Sequence, residues 1–456
     1  MITLDILKIP EDNELTYTNE EFEALKIPGL GWKYNTLGYG NRELIDERIK
    51  SMLKTPLSRD TLYYRKEFFS ELMNHPDKKT ISNLIKDFPS ERPIHEGATW
   101  NPLDYLEAQR LVNFPRNLER LSNMGLSSGL FQDFVRFSKA FLEKNREFVS
   151  KMEEINKKYP PRYTEIVEGR TWNGRSIKKK LGRNNRKYQE KIIGELSPFQ
   201  NLYKTGASLR YQFMNYLLFS KICEKGCDVR FFGRSGEAGE IRGAIHPFYN
   251  QSSGAEKRSK FGTAVANNIL WNKDNRLTLI TGANSGGKSV YLRTIGINIL
   301  LAMNGFYALA DSAMMSEIRR VWPAFDFGDA RGMGHLEKGL KYFRHVAENA
   351  SRRDILLMDE PAQGAEPAAE YQLAKGNISK IAEMGGFNSF IVTHDIELVK
   401  EFLQKEGVSF KKVADYGDKD NKYGIFDGLS EGGYGMRLAK KMGADPKSLE
   451  NIIKRR

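Results

Sequence analysis

Residues 282 to 289 read GANSGGKS, in which Gly282, Gly286 and Gly287 flank a short polar stretch and Lys288 and Ser289 follow directly. The pattern is G-x-x-x-x-G-K-[ST]. Glycines let backbone N–H groups turn inward around phosphate oxygens, and a helix that starts at the lysine adds the positive field of its N-terminus. Lys288 then reaches the outer phosphates of ATP, and the Ser289 hydroxyl is a hard oxygen ligand for Mg²⁺. Ala283, Asn284, Ser285 and Val290 complete the expected phosphate-binding set. Further on, ILLMDE (Ile355–Glu360) is an apolar run closed by two carboxylates. One carboxylate can hold the metal and the next can orient and deprotonate water, which assigns Asp359 to Mg²⁺ and Glu360 to general-base work. FIVTHD (Phe390–Asp395) puts His394 at the end of a third apolar run, where a γ-phosphate sensor is expected.

Strands and helices must hold these residues together. LTLI from Leu277, DILLM from Asp354 and SFIV from Ser389 alternate with helical stretches and glycine-containing turns. That alternation predicts a mostly parallel α/β sheet. Glycine-rich sequence between Gly226 and Gly243 marks a boundary, and the pattern before it is helical. Apolar residues recur three and four apart from Asn41 to Phe88, with Ser58 as an N-cap. Phe134, Phe137, Phe141, Phe148, Met152, Ile155 and Tyr159 keep to one face of a single long amphipathic segment that ends at Pro160 and Pro161. A second helical run extends from Lys187 to Glu224, broken around Pro198. Two long helices joined by a basic connection make an arm.

That connection is the most charged part of the chain. Residues 175 to 191 carry Arg175, Lys178, Lys179, Lys180, Arg183, Arg186, Lys187 and Lys191 against the single acid Glu190, and the whole chain of 456 residues carries +13. Such a balance favours a polyanionic partner, DNA above all, contacted through its phosphates. Only two cysteines occur, Cys223 and Cys227, which excludes a disulfide scaffold and a four-cysteine zinc site. The N-terminus MITLDILKIPEDNEL lacks the basic flank and apolar core of a signal peptide. The apolar stretch from Ile295 is short and carries Asn298 and Asn304, so no bilayer span is predicted. A cytoplasmic protein with no membrane partner is expected.

Taken together, the motifs resemble the MutS family of DNA-repair ATPases. LITGANSGGKSVYLRTIG, LLMDEPAQGAEP and IVTHDIEL resemble its nucleotide-binding segments, and IHPFY (Ile245–Tyr249) its upstream HP element. VANNI (Val265–Ile269) resembles the segment whose asparagine reads adenine, which implies that role for Asn267. GHLEKGLKYFRHVAENA from Gly334 resembles the family signature, and GGYGMRLAKKMGADPKSL from Gly432 its C-terminal segment. Upstream, LGYGNRELIDERIKSMLKTPLSRDTLYYRKEFFSEL resembles the start of the family's core domain.

The resemblance implies a helical core domain at 1–133, a lever and clamp arm at 134–228, and an ABC-type P-loop ATPase domain at 229–456. It begins near residue 35, which implies no N-terminal mismatch-reading domain. Two positions depart from the family. Its signature serine aligns with Lys341, which invites a cation supplied in trans to a partner's nucleotide, and its adenine-stacking aromatic aligns with Ala264, leaving Phe261 or Phe248 as substitutes. The implied function is a DNA-binding ATPase that dimerises, with itself or a related subunit, and closes on branched or otherwise structured DNA. An ABC-type ATPase that does not act on DNA, or a slow nucleotide switch, are the alternatives. The first has against it the lack of an LSGGQ-type signature.

Overall fold

The computed structural model describes residues 16–27, 42–54, 57–77, 102–158, 191, 194–199, 212–213, 215–233, 236–247, 265–283, 286–325, 334–384, 386–414 and 423–430. Packing divides the chain into two compact units, one of residues 1–8, 31–48 and 63–222, the other of residues 9–30, 49–62 and 223–456. Stretches near the N-terminus group with the C-terminal unit, because their apolar side chains are buried there.

The first half is helical: α1 Asn19–Ala24, α2 Arg42–Leu53, α3 Arg59–Asn74, α4 Pro102–Asn123, α5 Gly129–Lys144 and α6 Arg146–Lys158. Ser58 caps α3 as expected, its Oγ accepting from the Thr61 N–H at 3.3 Å. In the first unit an aromatic core forms around Phe68, Phe131, Phe134, Phe213 and Tyr216, with Phe134 and Phe213 edge to face at 5.3 Å. The single amphipathic segment expected from Phe134 onward is two helices. At Asn145 the side-chain amide donates to the Phe141 carbonyl at 2.7 Å, and the backbone N–H turns to Leu142 instead. The side chain thus takes the acceptor that would have continued the helix.

The second unit holds two sheets, built from β1 Val229–Phe231, β2 Gly239–Ala244, β3 Asn267–Trp271, β4 Leu277–Thr281, β5 Ser312–Met315, β6 Arg320–Ala324, β7 Asp354–Asp359, β8 Asn388–Val392, β9 Val408–Val413 and β10 Ile425–Asp427. Its helices are α7 Lys288–Met303, α8 His335–Asn349, α9 Pro367–Met384 and α10 Ile396–Lys400. The larger sheet runs β10-β9-β4-β8-β7-β6, parallel except for β10. β4 and β8 are buried along their whole length, which is why they read as unbroken apolar runs. The smaller sheet, β1-β5-β2-β3, was not anticipated. Its strands are three to six residues long and alternate buried with exposed positions, a weak signal in sequence.

The apolar stretch from Ile295 is the body of α7, buried almost all round in the second unit. Among the described residues no helix is long and apolar enough to cross a membrane. Cys223 is buried and Cys227 half-buried, both as free thiols, and burial pushes Cys227 up to about 11.

Candidate nucleotide site

β4 lies between β8 and β9 and ends where the glycine-rich loop begins. Gly282 has φ +134° and Gly287 +93°, backbone conformations that glycine alone adopts without strain. Space imposes the same choice, since a Cβ on Gly286 would lie 2.7 Å from Val413 Cγ1. α7 starts at Lys288, which is buried and folds back so that Nζ donates to the carbonyls of Gly282 at 2.7 Å and Ala283 at 3.1 Å. Burial lowers the pKa of this ammonium, and the charges of Glu360 and Asp359 oppose that fall. The Ser289 hydroxyl donates to Asp359 Oδ2, so the two oxygen donors assigned to Mg²⁺ touch across α7 and β7. Val290 is half-buried in the first turn of α7, and its carbonyl accepts from Thr294 Oγ1 at 2.7 Å. Asn284 and Ser285 lie outside the described residues.

The run expected to end in two carboxylates ends as a strand at Asp359, and Glu360 is the first residue beyond it. Its φ is +50°, and Ala362 and Gly364 follow at +76° and +93°. Non-glycine residues in this region cost of the order of 1–3 kcal/mol each, so the surroundings must hold the turn. One restraint is the Glu360 N–H, which donates to the Val392 carbonyl at 2.9 Å. The other is His394, whose Nδ1 is 2.9 Å from Glu360 Oε2 and whose N–H donates to the same oxygen at 3.3 Å. Burial raises the Glu360 pKa above the usual carboxylate value, and the His394 contact offsets part of that rise. His394 lies two residues past β8 with its side chain largely exposed.

Asn267 is engaged by its neighbours. Its Oδ1 accepts from the Ile425 N–H at 2.8 Å and its Nδ2 donates to the carbonyls of Tyr423 and Val265, both at 3.3 Å. The amide expected to read adenine therefore clamps β3 to the chain entering β10. Tyr423, which the motif reading missed, has φ +71° and sets its ring 3.3 Å from where a Cβ on Gly287 would stand. It lies between motifs, so no sequence pattern points to it. Phe248, Phe261 and Ala264 lie outside the described residues, as do Arg175, Lys178, Lys179, Lys180, Arg183, Arg186 and Lys187. Lys341 is on the exposed side of α8, where Nζ pairs with Glu337 at 2.7 Å. A surface pair of that kind contributes under about 0.5 kcal/mol.

Comparison with known proteins bears directly on this geometry. Residues 278–455 match the family model described as MutS domain V. Over this region the chain is similar to the MutS family. Among its relatives is the Endonuclease MutS2 of Thermus thermophilus, 26% identical over 230 residues that make up 48% of this chain and 28% of that protein. The DNA mismatch repair protein MSH6 of Saccharomyces cerevisiae is 27% identical over 214 residues, 45% of this chain and 17% of that protein. The DNA mismatch repair protein MutS of Persephonella marina is 28% identical over 201 residues, 42% of this chain and 22% of that protein. The alignments thus cover less than a third of each of these MutS-family relatives.

Proposed function

We propose that this chain is a Mg²⁺-dependent ATPase of the MutS family whose second unit is a P-loop ATPase domain. It acts as a dimer that closes on branched or otherwise structured DNA in repair or recombination control. The contact between Ser289 Oγ and Asp359 Oδ2 carries the reading, because it brings together two oxygen donors 70 residues apart in sequence. These are the hard ligands Mg²⁺ takes, and the metal when bound would neutralise charge on the outer phosphates. At Gly282 and Gly286 a Cβ would run into Val413, which keeps the backbone of the loop bare, and Lys288 exchanges its two carbonyl partners for phosphate oxygens. Glu360 accepts the proton of the attacking water. Its raised pKa moves it toward the operating pH, as general-base catalysis requires. His394 holds that carboxylate by one oxygen, leaving the other for water.

The DNA part rests on the similarity to two DNA mismatch repair proteins and on the basic run from Arg175 to Lys187. Dimerisation rests on resemblance: the segment from Gly334 is similar to the family signature and Gln363–Pro367 to the loop by which the family's subunits meet. For Lys341 to act in trans, its pairing with Glu337 would have to open.

The test is ATP turnover with and without a four-way DNA junction. Lys288→Ala is expected to abolish ATP binding. Glu360→Gln is expected to keep binding and lose about 10²–10⁴-fold in turnover, the scale of a general-base contribution. Turnover that no DNA alters would favour an ABC-type module that does not act on DNA. Tight binding with negligible turnover would favour a nucleotide switch.

A further inference from the structure

A buried cluster in the second unit reaches the candidate catalytic turn from an unexpected part of the chain. The segment around α1 packs on α7, β6 and α8. Arg293 Nε donates to the Ala24 carbonyl at 2.9 Å, and His246 Nε2 lies 3.1 Å from the Leu25 carbonyl. Leu25 comes so close to α7 that a Cβ on Gly296 would stand 2.4 Å from its Cδ2. At the centre is Glu21, almost fully buried. Arg320 donates to both its oxygens, at 2.7 and 2.9 Å, the Tyr342 hydroxyl donates to Oε1 at 2.7 Å, and the Thr18 N–H donates to Oε2 at 2.8 Å. The Arg320 guanidinium also lies over the rings of Tyr17 at 4.7 Å and Trp322 at 4.1 Å. One carboxylate thus joins α1, β6 and α8.

Tyr342 belongs to the helix that walls a cleft beside Glu360. Leu336, Leu340 and Phe343 of α8 line a small cleft of about 30 Å³ together with Met358, Glu360 and Gln363. α8 stands directly against the strained turn, with Val346 and Met358 in one buried cluster and Phe343 and Ala362 packed against it, so the seat of α8 sets the room beside Glu360. The Glu21–Tyr342 bond supplies that seat.

We propose that Glu21 and Tyr342 are positioning residues for ATP hydrolysis, fixing α8 against the turn at 359–363 so that Glu360 keeps its left-handed backbone and its aim. This rests on the ATPase reading and adds residues 16–27 to the hydrolytic unit. Neither residue touches nucleotide. Their loss should act on the chemical step and spare binding at the loop on β4.

The experiment is Tyr342→Phe in the full chain, which removes one hydroxyl and leaves Glu21 paired with Arg320. The turnover number is expected to fall about fivefold, the rate equivalent of one hydrogen bond, with KM for ATP within about twofold. Amide hydrogen exchange of the wild type and variant is read in parallel. Exchange should quicken at residues 360–366 and stay unchanged at 286–291. Lys380→Ala, on the exposed side of α9, should change neither. Unchanged turnover would overturn the proposal, and so would exchange that quickens evenly across the unit, the mark of a merely structural bond. If Lys288→Ala hydrolyses ATP like the wild type, the ATPase reading itself has failed, and the exchange pattern still decides whether Tyr342 seats the turn.

Discussion

Glu21 and Glu360 are both carboxylates largely withdrawn from solvent in the same unit, and the fold treats them in opposite ways. Glu21 sits in a regular helix, begins as one half of a capping box with Thr18, and accepts hydrogen bonds from two residues besides. Glu360 sits past the end of a strand at positive φ, and its carboxylate meets only His394 among the described residues. A buried carboxylate that serves architecture is saturated with donors, because a missing one would leave it costly to bury. A carboxylate that serves proton transfer has to be left with an oxygen unclaimed and a pKa displaced toward neutrality. The strain at Glu360 and Ala362 belongs to the same difference. It is tolerated where it aims a group and is lacking where the group only holds elements together.

The largest effect that could break this comparison is on turnover. Glu360→Gln keeps shape and loses the base, so kcat should drop by about 10²–10⁴-fold while ATP still binds, measured by steady-state hydrolysis and equilibrium binding. An ordinary folded enzyme with normal turnover would place the base elsewhere. Glu21→Gln should act first on stability. It leaves Arg320 buried without its anion, a loss of about 3–5 kcal/mol in stability by denaturant titration. A Glu21→Gln chain as stable as the wild type would mean that the clasp is dispensable.

His394 gives a smaller, sharper test. His394→Asn removes the Nδ1 contact to Glu360 and should lower kcat about tenfold, the scale of one hydrogen bond to a charged group. Because His394 now lowers the Glu360 pKa, its removal should also move the acid limb of the kcat–pH profile to higher pH. A profile that does not move would detach His394 from the base.

The contrast between the two glutamates also marks how far the sequence could be read. Glu360 was legible because apolar β7 precedes it and a Lys-Ser pair precedes that. Short runs of one residue type, fixed in order by a parallel sheet, carry their chemistry in the sequence. Glu21 was not legible. Its partners are 299 and 321 residues away, Arg320 belongs to no motif, Tyr342 lies in the signature segment with nothing there to point to Glu21, and the only local signal, the capping box Thr18–Glu21, says helix start and nothing more. Tyr423 escaped for the same reason, and so did the small sheet. The break at Asn145 escaped because amphipathic periodicity passes across it without interruption. Asn267 shows a different limit: a motif located the residue, while its hydrogen bonds to Ile425 and Tyr423 come from tertiary packing.

The smallest expected effect concerns pH and stability at Glu360. Its folded pKa is raised, with burial the leading cause and the charge of Asp359 adding to it, against His394 and Lys288. The folded state therefore binds this proton more tightly than the unfolded state, and stability falls as pH rises through the interval between the two pKa values. Above that interval the ionised carboxylate is a standing cost to the fold; below the unfolded value near 4.5 there is none. Glu360→Gln removes a charge that the fold disfavours, so the variant should melt about 1–3 °C above the wild type at pH 8. The gap should close as pH is lowered to about 4.5, where the wild-type carboxyl is itself neutral. A variant that melts below the wild type at pH 8 would show that the ionised Glu360 is held by favourable contacts, like Glu21, and the distinction between the two sites would be lost.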